Sequence, residues 1–75
     1  MKFGNLRRLC NARRYDLFVY SEDGSMKTCV LDIEHPRDKM KIMEYNEARV
    51  ERIHPGFESD SDGDIRPVME VELYV

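Results

Sequence analysis

Residues Tyr15 to Tyr20 read Y-D-L-F-V-Y, so Leu17 and Val19 fall on one side of an extended chain while Phe18 and Tyr20 fall on the other. A strand that is apolar on both sides needs cover on both. The whole chain has 75 residues, a size at which folding buries roughly 60 % of the unfolded surface, and one short helix can roof only one side of a sheet. The second side is therefore either folded under a loop or left as an apolar patch for another chain.

The rest of the pattern supplies the sheet and its single roof. Met26 to Ile33 (M-K-T-C-V-L-D-I) resembles Tyr15 to Tyr20 in composition, and Ser21-Glu22-Asp23-Gly24-Ser25 between them predicts a hairpin, with Gly24 free to take positive φ. In Val68 to Val75, Met69, Val71, Leu73 and Val75 alternate with Glu70, Glu72 and Tyr74, the signature of a half-buried strand. Phe3, Leu6, Leu9 and Cys10 recur at helical spacing and predict a helix over Phe3 to Arg13. Between Pro36 and His54 propensity favours helix, but Met40, Ile42, Met43, Tyr45, Ala48, Val50 and Ile53 gather on no single helical face. We therefore expect Met40 to Tyr45 to be extended, with a short helix in 37–45 as the alternative, and a strand Ala48 to His54 stopped by Pro55-Gly56. The expected fold is α+β, one domain over residues 1–75, with an N-terminal helix packed on an antiparallel sheet of about four strands.

Charge is divided along the sequence. Residues 1–14 carry Lys2, Arg7, Arg8, Arg13 and Arg14 and no acid, whereas the remainder holds seven basic and fifteen acidic side chains, for a net −3. Arg7, Arg8, Arg13 and Arg14 could neutralise phosphates, which makes nucleic-acid binding the alternative function. No aromatic residues interleave them, and the acidic remainder would repel a polyanion, so pairing with acids on the sheet is the preferred reading. Glu58, Asp60, Asp62, Asp64, Glu70 and Glu72 could conversely offer an acidic surface to a basic partner.

Chemical motifs are few. Glu58, Asp60, Asp62, Gly63 and Ile65 fall in register with an EF-hand loop, yet its first position is Glu, its twelfth is Met69, and Glu70 arrives one residue late, which removes the bidentate ligand. Cys10, Cys29, His35 and His54 are zinc-ligand types without the close pairing of structural zinc sites. The two cysteines, outside any C-x-x-C, are expected to be reduced; a single disulfide between them is the other possibility. Neither a G-x-S-x-G elbow nor a glycine-rich phosphate loop occurs, so neither catalysis nor a cofactor or metal is expected. No apolar run reaches the ~18 residues of a membrane span, and nothing reads as a secretory signal, so a cytoplasmic location away from membranes is expected.

The order of an N-terminal helix, the Y-D-L-F-V-Y strand, a D-G hairpin, A-R-V-E-R-I and a closing M-E-V-E-L-Y-V resembles the layout of small acidic accessory proteins encoded by phages and mobile elements in bacteria. The resemblance spans most of the chain, and it implies a non-catalytic role, which in some such proteins is inhibition of host defence nucleases. We therefore expect a protein-interaction module that binds another protein or a second copy of itself. Its two candidate contact regions are Phe18 and Tyr20 with Tyr74, and the acidic stretch Glu58, Asp60, Asp62 and Asp64.

Overall fold

The computed structural model describes residues 1–10 and 12–75. Its elements run in the order α1 (Phe3–Leu9), β1 (Arg14–Tyr20), β2 (Met26–Asp32), α2 (Pro36–Lys41) with a following 3-10 turn (Ile42–Tyr45), β3 (Arg49–Ser59) and β4 (Ile65–Tyr74). The strands form one sheet in the order β2-β1-β4-β3. The α+β class and the count of four strands agree with the sequence. The sheet itself is mixed: β1–β2 and β3–β4 are antiparallel hairpins, and they lie side by side through a parallel β1–β4 pair. The antiparallel expectation thus fails at the centre, because alternation reveals which residues are extended but not which strand lies beside which.

Both hairpins close with the same turn. Ser21 N–H donates to Ser25 O (2.9 Å) in the first and Asp60 N–H to Asp64 O (3.0 Å) in the second. The fourth turn residue in each, Gly24 or Gly63, sits at φ 84°, where a Cβ would be strained.

One face of the sheet carries the core. Tyr15, Leu17 and Val19 of β1, Leu31 of β2, and Val71 and Leu73 of β4 pack with Phe3 and Leu6 of α1, Ile42 and Tyr45 of the 3-10 turn, and Ala12 and Ala48. The N-terminus is strapped to the start of β3: Phe3 N–H donates to Ala48 O, Gly4 N–H to Asn46 O, and Val50 N–H to Met1 O, at 2.8–2.9 Å.

Three sequence expectations are corrected. The helix stops at Leu9, which is 76 % exposed, and the expected continuation through Asn11 lies outside the described residues. Residues 36–45 are helical, not extended; Pro36 opens α2 at its first turn, and Ile42 and Tyr45 alone, three apart, reach the core, while Met40 and Met43 stay exposed. A helix that buries two residues needs no apolar stripe, so periodicity was the wrong guide there. β3 continues through Pro55-Gly56 to Ser59, because it is an edge strand whose outward N–H groups are not needed by the ladder.

Candidate functional site

The face opposite the core is uncovered. Alternation places Asp16, Phe18 and Tyr20 there, and the parallel register sets Glu70, Glu72 and Tyr74 beside them in that order. On one flank β2 adds Val30, Thr28 and Met26; on the other β3 adds His54 and Arg52. α1 and the 3-10 turn both lie against the other face, and α2 follows them there, its Lys39 sharing a surface depression with Cys10, Tyr15 and Ile33. Val30 is 63 % exposed, Met26 49 % and Tyr74 40 %, while Phe18 and Tyr20 are half-buried by their neighbours.

Two of the three aromatic residues named from the sequence stack on one another. The Tyr20 and Tyr74 rings stack with centroids 5.2 Å apart and an interplanar angle of 20°. The Tyr20 hydroxyl donates to Glu72 Oε1 at 3.4 Å; desolvation, together with that carboxylate, raises the phenol's pKa above its ordinary value. Glu72 also lies 3.6 Å from His54 Nε2 and 4.0 Å from Arg52 Nε. Glu70 has no ion-pair partner among the described residues, although it stands directly beside Asp16 in the parallel register. Two neighbouring carboxylates in a sheet repel one another, and only Asp16 is relieved, by Arg14 Nε at 2.9 Å. Phe18, Tyr20, His54, Glu70 and Glu72 line a shallow depression in which aromatic ring surface lies beside two carboxylates.

The second candidate region divides. Glu58 belongs to β3 and is held by Arg14 at the far end of the open face, next to the buried Val68. Asp60 is committed to the turn: one carboxylate oxygen accepts the N–H groups of Asp62 and Asp64, each at 3.0 Å, and the other lies 3.1 Å from Arg66 Nε. Asp62 and Asp64 are exposed at the tip. The calcium-loop spacing is therefore hairpin-turn chemistry, and the tip lies at the opposite end of β4 from Tyr74, roughly 30 Å away at the rise of a strand.

The zinc-ligand types do not converge. Cys29 is on the core side of β2 and His54 on the open side of β3, with two strands between them; Cys10 and Cys29 are free thiols half-buried against the core. Among the described residues no three His, Cys, Asp or Glu side chains gather in a way that would hold a metal ion. No helix among them is long and apolar enough to cross a membrane.

The arginines diverge as well. Arg7 Nη1 donates to Asn46 Oδ1 at 2.6 Å, and Arg8 lines the same depression beside α1. Arg13 reaches Asp32 and Glu34 at 3.6 and 3.5 Å at the end of β2, while Arg14, its sequence neighbour, binds Asp16 and Glu58 over the open face.

Sequence reasoning missed Met26, Val30, Arg52 and His54. The alternation of Met26, Thr28 and Val30 would have placed them with Phe18 once the hairpin was accepted, but nothing in the sequence sets β3 beside β4 beside β1. The chain matches no protein-family model, no curated protein and no solved structure.

Proposed function

We propose that this chain is a non-catalytic protein-interaction module whose open sheet face receives a partner protein through arginine or lysine side chains carried on an apolar segment. The observation that carries the reading is the Phe18–Tyr20 depression with its unneutralised Glu70. An aromatic ring takes up the stem of a long basic side chain and attracts its charge, and a neighbouring carboxylate completes the pair. Placing Glu70 beside Asp16 costs the free protein some stability, and a cationic guest removes that cost. A role as a small acidic accessory protein of a phage or mobile element, one that occupies a basic surface on a host protein, fits this chemistry. Nucleic-acid binding is the weaker alternative, since Arg13 and Arg14 are already paired with acidic side chains.

The test is an amide-resolved titration with a short peptide alternating arginine and leucine, against a glutamate–leucine control. Shifts at Phe18, Tyr20, Glu70 and Glu72 with the basic peptide alone are expected, and Phe18→Ala or Glu70→Gln should weaken binding about tenfold. Glu70→Gln should also raise stability, by about 0.2–1 kcal/mol, as the repulsion from Asp16 is relieved. Shifts confined to the 60–64 turn, or equal for both peptides, would overturn the reading. Phe18→Ala could fail to fold; the exposed Glu70→Gln then decides the matter.

A further inference from the structure

The two edges of the sheet are built differently. Along β3 the outer edge is interrupted at three points: Met1 and Lys2 pair with Arg49 and Val50 at its start, a bulge lies between Val50 and Arg52, and Pro55-Gly56 follows. Charged Arg49, Glu51 and Arg52 complete that defence. β2 has none of these devices. It is a regular seven-residue strand without proline, glycine or bulge, and its one basic residue, Lys27, lays its ammonium over the Tyr45 ring, 5.8 Å from the centroid, on the core side.

The free groups on that edge can be assigned. Ser21–Ser25 and Arg13–Ile33 are hydrogen-bonded across the first hairpin, and antiparallel pairs alternate between bonded and non-bonded. Met26, Thr28, Val30 and Asp32 therefore turn their N–H and C=O groups outward. Asp32 is satisfied locally, its N–H by Asp38 Oδ2 at 3.1 Å and its C=O by His35 N–H at 3.0 Å. The hairpin turn closes the other end. What remains open is Met26, Thr28 and Val30, a set symmetric about Thr28.

We infer that this edge pairs antiparallel with β2 of a second copy across a two-fold axis at Thr28. This continues the mixed sheet to eight strands. In that register Thr28 exchanges two hydrogen bonds with its own copy, and Met26 exchanges two with Val30 of the other protomer, as does Val30 with Met26. All six free donors find acceptors. A register centred one residue later, at Cys29, would set Met26 against the already satisfied Asp32. The exposed Met26 and Val30 side chains become cross-strand neighbours on the open face, which removes apolar surface from water. Because both protomers then present their Phe18 depressions on the same side, the assembly offers two such sites in one plane. The pairing does not depend on what those depressions bind.

Sedimentation velocity of the full chain over a rising concentration series tests the inference; a reversible dimer whose population rises with concentration is expected. The register is tested by charge exchange at the two exposed positions. A Met26→Lys, Val30→Lys chain and a Met26→Glu, Val30→Glu chain should each sediment as monomers, because like charges then face each other across the axis, and the two mixed together should form a heterodimer. A wild-type chain that stays monomeric at millimolar concentration overturns the proposal. So does a dimer that both charged variants retain, since it would use another surface. Phe18→Ala should leave dimerisation in place even where it abolishes peptide binding, so failure of the open-face reading and failure of this one are separable.

Discussion

Ile42 is fully buried although its neighbours Lys41 and Met43 are exposed, so together with Tyr45 it anchors the helical connection between the hairpins to the sheet. Ile42→Ala should cost about 2–5 kcal/mol in a urea titration, while Met43→Ala one position on should fall within about 0.5 kcal/mol of wild type. Tyr15 makes a different point. Its ring packs edge-on against Phe3 at 5.5 Å, its hydroxyl donates to Cys10 O at 3.3 Å, and burial pushes the phenol above its ordinary value of 10.0. The folded protein thus holds this proton more tightly than the unfolded chain does. The stabilisation is full below pH 10 and is lost as pH rises through the raised value. Measured between about pH 9 and pH 11.5, the melting temperature of the wild type should fall more steeply than that of Tyr15→Phe; parallel curves would refute the assignment.

At the level of elements, α1 has only seven residues and no side-chain cap, so docking holds it in place. Gly4 allows the docking: a Cβ there would meet Asn46 Cβ at 3.1 Å and Asn46 O, the acceptor of the Gly4 N–H, at 3.2 Å. Gly4→Ala should lower stability by about 1–3 kcal/mol in chemical denaturation despite alanine's better helix propensity, and Asn5→Ala beside it should not. The elements with strong periodicity were legible in the sequence. Tyr15–Tyr20 and the Met69/Val71/Leu73 alternation gave two strands within a few residues of their bounds, and the Asp23-Gly24 signal gave the first hairpin. What was not legible lay where tertiary contact overrides local pattern. Pro55 reads as a stop but occupies an edge, and 36–45 has no stripe because only Ile42 and Tyr45 are buried. The site was half legible: Phe18, Tyr20 and Tyr74 follow from two-faced alternation, but Val30 and His54 join them only through pairing partners. The Asp60/Asp62/Gly63 stretch looked like a ligand set, yet it is the same turn as Asp23-Gly24 with its carboxylate spent on backbone N–H groups.

The molecule as a whole is an elongated body of 42 × 21 × 21 Å, in which two hairpins share one core and one bare face. Its ion pairs tie the hairpins together on both sides: Arg14 spans from Asp16 to Glu58 over the open face, and Arg66 reaches Glu34 at 3.5 Å and Asp60 at 3.1 Å. Most are exposed enough to add little individually, so the union of the hairpins rests on β1 lying against β4. That seam joins residues as remote as Tyr20 and Glu72, 52 positions apart. While the polypeptide is still being made, β1 therefore has its greasy side half matched and its own central neighbour still inside the ribosome. A nascent chain halted before β4 emerges would hold one hairpin and a loose coil, a natural client for chaperones or proteases, and the finished shape would snap into place only once β4 is free to dock.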